Sequence, residues 1–238
     1  MKAVLFAAGM GKRISASIGN MPKSLLEVNG KSLIKRSVEI LKSFDLDIAV
    51  CTGYHSNEIE RELSGLCSTY FLNSNYETTN NIYSLFVAKD FFDDDVIIMA
   101  ADLFYDPYII DSLIKDNSLI SLVVDSARIV DGDYFLEIGK NNELISYGKD
   151  MPLDKRAFEN VGMAKISKTF LKQFLNELNY LINNNQVNSY YEQIIFNLAK
   201  NDPKAVHYLD VKGLFWREID NYDEYINLKK VAGNYENR

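Results

Sequence analysis

Short apolar, β-branched runs alternate with amphipathic segments through the first half of the chain. The strand-like runs lie at residues 4–8, 48–51, 70–72 and 96–100. Apolar positions with helical spacing fill the segments between them, at residues 33–44, 56–63 and 81–88. Ser56 can accept hydrogen bonds from first-turn amides, which predicts that it caps the second helix. This alternation is typical of βαβ units, so the first half predicts an α/β fold with a mainly parallel sheet flanked by helices.

The pattern changes after Asp102, where strand-like runs follow one another with polar turns between them. These runs lie at residues 119–124, 134–138, 144–147, 161–166 and 205–209, followed by an apolar run at 214–219. Helical spacing occurs at residues 169–181, at 190–199 and from 222 to about 231. We therefore expect a mixed α+β second half, with an antiparallel extension that closes over the edge of the sheet.

Composition narrows the range of functions. The 238 residues are 47% hydrophobic, and 26 Lys and Arg against 33 Asp and Glu give a net charge of −7. This acidic balance argues against broad binding to nucleic acid or anionic membranes, which requires a basic face. Two cysteines predict a reducing, cytoplasmic compartment, and the apolar N-terminal run is too short to span a membrane.

A glycine-containing loop follows the first strand, with the sequence AAGMGKR at residues 7–13 and MPKSL at 21–25. Glycines let backbone amides approach a phosphate chain, and Lys12, Arg13 and Lys23 supply positive charge to hold it. A dinucleotide fingerprint would need glycine at Ile14, and a Walker loop would need Ser or Thr at Arg13. An ordinary glycine turn stays open as an alternative for the two glycines alone.

The combined motif is more specific than its parts. Gly-x-Gly-x-Arg, followed by Pro-Lys-x-Leu and the turn VNGK at 28–31, resembles the sugar-phosphate and alcohol-phosphate nucleotidyltransferase family. Within that family, NY at 75–76 and NNIYSL at 80–85 are similar to bacterial CTP:phosphocholine cytidylyltransferases. The resemblance is clearest over residues 1–102 and 216–220 and loose over 127–202. It implies a Rossmann-like nucleotidyltransferase fold and transfer of a nucleotide to a phosphorylated acceptor, with release of pyrophosphate.

The resemblance also implies a nucleotide site. Lys23 would contact the α-phosphate and act in catalysis together with Arg13. The implied contacts to the triphosphate and the base come from Ala7, Ala8, Gly9, Met10, Gly11, Lys12, Arg13, Lys23, Thr52, Tyr54, Asn81, Ser84 and Ala101.

Two carboxylates would bind the cofactor Mg²⁺, namely Asp102 and Asp220. Mg²⁺ takes one or two carboxylates together with substrate phosphates and keeps its remaining waters. Mn²⁺ suits the same oxygen ligands, and Glu218 is an alternative to Asp220 as the second ligand. Two structural interpretations also stay open, a strand-end cap for Asp102 and a helix N-cap for Asp220.

The acceptor site falls in the part of the chain where the resemblance is loose. Aromatic and acidic residues interleave there, a mixture that can bind a cationic amine, although such aromatics also commonly form core. We expect acceptor contacts from Tyr134, Tyr190 and Glu192, and Arg128 is a candidate cation for an acceptor carboxylate. The sequence YFL at 134–136 replaces the Trp-Phe-Leu of phosphocholine enzymes. This departure weakens a trimethylammonium cage and favours a different amine-bearing acceptor, so 2-aminoethylphosphonate and phospho-L-glutamine are open candidates beside phosphocholine.

These inferences predict a single nucleotidyltransferase domain whose nucleotide part is 1–125 and whose acceptor part is 126–204, with 205–238 returning to the sheet. Its partners are CTP and a small phosphorylated or phosphonate acceptor, for capsule or surface-polysaccharide modification. We expect a monomer or homodimer that binds neither nucleic acid nor membrane. The alternatives are a UTP- or dTTP-dependent sugar-1-phosphate nucleotidyltransferase, a glycosyltransferase with related topology, and a non-catalytic nucleotide-binding module.

Overall fold

One large sheet and two strand pairs organise the computed structural model, which describes residues 1–235. The strands are β1 (Lys2–Phe6), β2 (Glu27–Val28), β3 (Lys31–Ser32), β4 (Asp47–Thr52), β5 (Thr69–Leu72), β6 (Val96–Ala100), β7 (Leu103–Tyr105), β8 (Ile120–Asp125), β9 (Phe135–Ile138), β10 (Leu144–Gly148), β11 (Phe158–Ile166), β12 (Val206–Asp210) and β13 (Trp216–Glu218). The helices are α1 (Leu33–Ser43), α2 (Ser56–Glu62), α3 (Asn81–Val87), α4 (Tyr108–Lys115), α5 (Leu171–Asn183), α6 (Glu192–Asn201) and α7 (Tyr222–Val231).

Four neighbouring strands, β6, β1, β4 and β5, run parallel. The register places Val4 between Ala49 and Ile98. The prediction of an α/β fold with a mainly parallel first half is therefore confirmed. The carboxyl ends of these parallel strands meet at one edge of the sheet, which is where open α/β sheets bind ligands.

The second half continues the same sheet. Strand β11 runs antiparallel to β6 on one side and to β8 on the other, while β12 pairs with β8 in parallel. Strands β9 and β10 form an antiparallel hairpin beside the start of β11. The expected antiparallel extension is thus present, but it lengthens the central sheet and includes one parallel pair.

Both faces of the sheet are covered by helices. Alternate side chains of a strand point to opposite faces, so Val4 packs with Leu85 and Phe174 on one face while Leu5 packs with Val38 and Ile109 on the other. Helices α3, α5 and α6 cover the first face, and α1, α2 and α4 cover the second. These two layers hold most of the core, a third and smaller cluster joins α7 to β2 and to the start of α1, and the edge at the strand ends is left open.

Several local predictions were wrong. Ser56 is the first residue of α2 and does not cap it; the N-cap is His55, which adopts a left-handed backbone conformation with φ of 52° and accepts no side-chain capping bond. The first strand ends at Phe6, two residues early, because its pairing with β6 stops at Ala100. The sequence analysis also missed α4 and the antiparallel pair of β7 and β13.

Within the described residues, every helix is too short or too polar to cross a membrane.

Candidate active site

A cleft of about 510 Å³ opens at the carboxyl ends of the parallel strands. Loops after β1, β5 and β6 form its first wall, and the segments around β9, β11 and α6 form its second wall. The residues that line it are Phe6, Ala8, Gly9, Met10, Gly11, Lys12, Arg13, Lys23, Asn73, Tyr76, Glu77, Thr79, Asn80, Asn81, Ser84, Ala100, Asp102, Asp133, Tyr134, Lys149, Glu159, Asn160, Gly162, Tyr190, Tyr191, Glu192, Glu218 and Asp220.

The glycine loop packs tightly against Lys23. Gly11 has a φ of +59°, and a Cβ at this position would lie 2.8 Å from Cγ of Lys23. Both features require glycine, because L-residues seldom adopt this backbone conformation and the added carbon would overlap the lysine chain. The loop therefore directs Lys23 along its inner side and leaves the amides of residues 9–11 beside the cleft.

Lys23 joins the two carboxylates that the sequence predicts as metal ligands. Its Nζ lies 2.6 Å from Asp102 and 3.0 Å from Asp220, and Nη2 of Arg13 lies 2.8 Å from the same oxygen of Asp220. Burial alone would lower the pKa of Lys23, but the charges of Asp102 and Asp220 outweigh it and raise that pKa. Lys23 and Arg13 also hold the pKa of Asp220 below its usual range, against the opposing effect of burial. Lys23 and Asp220 are therefore both ionised at neutral pH.

Glu218 adds a third carboxylate to this end of the cleft. Loss of hydration to the surrounding protein atoms raises its pKa, and the charges of Asp102 and Asp220 raise it further, although the side chain is exposed to solvent at the cleft. Asp220 is not the N-cap of α7; Asn221 holds that position, and its Oδ1 accepts a hydrogen bond from the amide of Glu224 at 2.9 Å. Asp220 therefore directs its carboxylate into the cleft and not to the helix.

The carboxylates fit a divalent cation. Among residues 1–235 no cluster of three or more His, Cys, Asp or Glu side chains has the arrangement of a complete metal site. Mg²⁺ does not need one, because substrate phosphates and water complete its coordination. The ammonium group of Lys23 already occupies a position between Asp102 and Asp220, so these two side chains do converge on a cation.

The other predicted nucleotide contacts divide into two groups. Ala8, Gly9, Met10, Gly11, Lys12, Asn81 and Ser84 line the cleft, whereas Ala7, Thr52, Tyr54 and Ala101 lie outside its lining. Gly53 has no room for a Cβ, which would lie 2.9 Å from the carbonyl of Ala8, and the amide of Tyr54 donates to that same carbonyl at 3.1 Å. The segment after β4 thus supports the glycine loop from behind.

Asn81 connects the two walls of the cleft. Its Oδ1 accepts a hydrogen bond from the amide of Tyr191 at 2.7 Å, and the amide of Asn80 donates to the carbonyl of Val187 at 3.0 Å. These two hydrogen bonds therefore join the start of α3, in the first wall, to the segment before α6, in the second wall.

Of the predicted acceptor residues, Tyr134, Tyr190 and Glu192 line the cleft, and Arg128 lies behind it. Nε of Arg128 is 3.2 Å from Glu159, and its guanidinium lies 4.2 Å from the ring centre of Trp216. The other oxygen of Glu159 accepts a hydrogen bond from the amide of Asp133 at 3.0 Å. Arg128 therefore holds the carboxylate that orders the segment before β9.

Sequence reasoning missed Glu159 and Asn160, which also line the cleft. The predicted strand began at 161, whereas β11 begins at Phe158, so both polar residues were assigned to a turn. No local motif marks them, because their position in the cleft depends on the pairing of β11 with β8 and β9. Neither histidine lines the cleft; His55 pairs with Glu58 at 2.8 Å and His207 with Asp116 at 2.5 Å.

Comparison with known proteins gives a family match and related enzymes. Residues 3–128 match the MobA-like NTP transferase domain. The CTP:phosphoglutamine cytidylyltransferase of Campylobacter jejuni subsp. jejuni serotype O:2 is 29% identical over 202 residues, which cover 74% of this chain and 76% of that protein. The choline-phosphate cytidylyltransferase of Haemophilus influenzae is 34% identical over 101 residues, 42% of this chain and 43% of that protein.

The solved structures support the fold. The CTP:phosphocholine cytidylyltransferase of Streptococcus pneumoniae superposes with a TM-score of 0.76 and 22% identity, over 97% of this chain and 98% of that one. The expected nucleotidyltransferase-like fold, with its mostly parallel central sheet flanked by helices, is therefore confirmed.

Proposed function

Because this chain belongs to the family of MobA-like NTP transferase domains, we propose that it is a cytidylyltransferase that transfers CMP from CTP to a phosphorylated or phosphonate acceptor carrying an amine. The observation that carries this proposal is the contact of Lys23 with both Asp102 and Asp220 beside the glycine loop. A non-catalytic nucleotide-binding module would have no need for this cluster at the strand ends. The choice of CTP and of an amine-bearing acceptor is supported by the similarity to cytidylyltransferases.

The proposed reaction is an in-line displacement at phosphorus. An oxygen of the acceptor phosphate bonds to the α-phosphorus of CTP, while the bond from that phosphorus to the α–β bridging oxygen breaks and pyrophosphate leaves with the electron pair. A phosphate monoester has a second pKa near ~6, so at neutral pH the attacking oxygen is already largely deprotonated. This chemistry needs no general base. The composition of the cleft agrees with this, because neither histidine is among its lining residues.

Catalysis then depends on position and on charge neutralisation. In this proposal the amides of residues 9–11 and the side chain of Lys12 would hold the β- and γ-phosphates. Lys23 and Arg13 would neutralise charge that develops at the α-phosphate. Mg²⁺, held by Asp102 and Asp220, would supply further neutralisation of the triphosphate when bound. A role in capsule or surface-polysaccharide modification stays a prediction from the sequence resemblance.

Pyrophosphate release tests this function. CTP, UTP, ATP, GTP and dTTP are each incubated with Mg²⁺ and with phosphocholine, 2-aminoethylphosphonate, phospho-L-glutamine or sugar 1-phosphates. We expect turnover with CTP and an amine-bearing acceptor. Turnover only with UTP or dTTP and a sugar phosphate would contradict both the nucleotide and the acceptor class, while leaving the family assignment intact.

A further inference from the structure

The second wall of the cleft contains a carboxylate with one unpaired oxygen. Glu192, at the start of α6, is only 8% exposed although it lines the cleft. Its Oε1 accepts a hydrogen bond from Nδ2 of Asn160 at 3.1 Å. Within residues 1–235, Oε2 of Glu192 and Oδ1 of Asn160 are both buried and without a hydrogen-bond partner. Two acceptor oxygens on adjacent side chains are therefore unsatisfied in a ligand cleft.

Leaving such atoms unpaired has a substantial cost. An unsatisfied buried polar group costs about 1–3 kcal/mol, and native proteins retain few of them without a functional reason. An ionised carboxylate and an amide oxygen accept hydrogen bonds and donate none. The group that satisfies them must therefore donate, and one that carries positive charge also balances the buried carboxylate.

The cations nearest to this wall already have partners. Nζ of Lys149 lies 2.5 Å from Asp133, and Arg128 pairs with Glu159. Glu192 forms no ion pair within the described residues. Burial raises the pKa of Glu192 to about 7, which agrees with a carboxylate that lacks a compensating cation. The missing positive charge is thus expected from the ligand.

The aromatic residues here are poorly arranged for a quaternary ammonium group. Such a group has no N–H and is bound by open ring faces. The ring of Tyr134 stacks on Phe196 with an interplanar angle of 7°, and the ring of Tyr191 packs against Phe6 at 5.4 Å. Tyr190, 47% exposed, is the cleft tyrosine with the most accessible side chain.

We propose that Asn160 and Glu192 form a hydrogen-bond-accepting subsite for the N–H groups of the acceptor's ammonium, so that the enzyme selects a primary amine over a trimethylammonium group. This inference rests on the proposed function and specifies its acceptor class. Each methyl group added to the nitrogen removes one donor, and phosphocholine leaves both oxygens unpaired. A site that accepts hydrogen bonds rejects analogues lacking the donor far more strongly than an apolar pocket rejects a change in size.

A methylation series tests the subsite. Pyrophosphate release from CTP and Mg²⁺ is measured with phosphoethanolamine, its N-methyl and N,N-dimethyl forms, and phosphocholine. We expect kcat/KM to fall along the series, by about 30-fold or more from the first member to the last. An equal or higher kcat/KM with phosphocholine would overturn the inference.

Variants assign the selectivity to the two side chains. Asn160→Leu and Glu192→Gln should bring phosphoethanolamine and phosphocholine to within about threefold of each other, with the KM for CTP unchanged. Glu177→Gln is the matched control, because Oε1 of Glu177 accepts a hydrogen bond from Nδ2 of Asn197 at 2.7 Å outside the cleft lining. The control should keep the wild-type ratio, and persistence of that ratio in both cleft variants would contradict the assignment.

Two further results separate this inference from the proposed function. CTP turnover restricted to acceptors without an ammonium group would overturn the subsite and preserve the use of CTP. No turnover with any member of the series would also overturn the subsite, and thermal stabilisation by CTP and Mg²⁺ then reports whether the nucleotide site stands. The wild-type series decides the question even where a variant does not fold, as judged by circular dichroism.

Discussion

At the scale of single residues, the central feature is a lysine that carries the positive charge between two carboxylates. Nζ of Lys23 contacts Asp102 at 2.6 Å and Asp220 at 3.0 Å. In the proposed function, Asp102 and Asp220 would hold the divalent cation and Lys23 would contact a phosphate of the nucleotide. The same lysine would then both stabilise the two carboxylates and supply charge to the reaction.

Removal of this lysine tests its role. Lys23→Ala should lower kcat by about 10²-fold or more and change the affinity for CTP much less, because its charge acts chiefly on the transition state. Steady-state kinetics and calorimetric titration with CTP give the two quantities. Lys35→Ala, on α1 and outside the cleft lining, is the control. Equal losses in turnover and affinity would show a simple binding role.

The second metal ligand is tested with Mn²⁺ as a spectroscopic substitute for Mg²⁺. Electron paramagnetic resonance of Mn²⁺ with CTP should show binding weakened about tenfold or more by Asp102→Asn and by Asp220→Asn, because each removes a carboxylate ligand. Glu218→Gln should change it by less than about threefold. Loss of binding in Glu218→Gln but not in Asp220→Asn would assign the second ligand to Glu218.

Site residues that belong to a local sequence motif could be predicted, and those placed by long-range pairing could not. Gly11, Lys23 and Asp102 sit in or directly after recognisable segments, and the structure brings them together. Glu159 and Asn160 carry no local motif, since their role depends on pairing of β11 with β8 and β9. Arg128 looked like a free cation because its partners, Glu159 and Trp216, are far away in sequence.

At the scale of elements, the start of α7 positions Asp220. Oε2 of Glu224 accepts hydrogen bonds from the amides of Asp220 at 2.7 Å and Asn221 at 3.1 Å, while Asn221 caps the helix in return. This capping box fixes the backbone at Asp220, so helix capping and the position of a candidate metal ligand are coupled.

Glu224→Ala should therefore affect both properties. We expect a fall of about 1 kcal/mol in the free energy of unfolding, measured by urea denaturation. The Mg²⁺ concentration for half-maximal activity should rise in parallel, since Asp220 loses its backbone support. Asp223→Ala is the matched control, as it removes a first-turn carboxylate outside the capping box. An unchanged Mg²⁺ requirement in Glu224→Ala would refute the coupling.

Elements with clear periodicity were predicted well, and those with competing signals were not. Helix α1, whose apolar positions repeat with helical spacing, was predicted at 33–44 and spans Leu33–Ser43. Helix α4 was missed because Asp106 and Pro107 suggest a turn, whereas Pro107 is its N-cap and the amide of Tyr108 donates to Asp106. Strand β7 was missed because its partner β13 is more than a hundred residues away.

At the scale of the whole molecule, Asp116 contacts residues of three strands, β8, β11 and β12, in the part of the sheet formed by the second half of the chain. Its carboxylate accepts hydrogen bonds from Ser121 at 2.7 Å and contacts His207 at 2.5 Å, and its carbonyl accepts one from Lys165. These partners come from three strands, so the residue stabilises the extension that carries the second wall of the cleft.

Asp116 should make stability depend on pH in the acid range. Burial would raise its pKa, but hydrogen bonds from Ser121, Ser118 and His207 outweigh burial and lower the pKa to about 2. The folded state thus favours the charged form, and its stabilisation is present above about pH 4, the ordinary aspartate value, and is lost as the pH falls toward 2.

Asp116→Asn should therefore lower the free energy of unfolding at pH 7 by roughly 1–3 kcal/mol. The difference from wild type should shrink between about pH 4 and pH 2, as followed by urea denaturation across that range. The control is Asp111→Asn, because Asp111 forms an exposed pair with Lys115 and such pairs contribute little. A difference that does not vary with pH would contradict this role for the carboxylate.

The global arrangement was predictable only in part. Alternation of strands and helices predicts the parallel half, because each βαβ unit is local in sequence. The position of β11 between β6 and β8 was not predictable, since antiparallel and parallel neighbours present similar apolar runs. The second wall of the cleft, and hence the acceptor subsite, depends on that placement.

The most direct test of the central claim is the identity of the product. CTP, Mg²⁺ and 2-aminoethylphosphonate or phosphoethanolamine are incubated with the protein, and the products are followed by phosphorus NMR and mass spectrometry. We expect a cytidine-linked product with one new anhydride bond between the α-phosphorus of the nucleotide and the phosphorus of the acceptor, formed together with an equal amount of pyrophosphate. Release of pyrophosphate with a cytidine product that lacks the acceptor, or no reaction of CTP with either acceptor, would contradict this function.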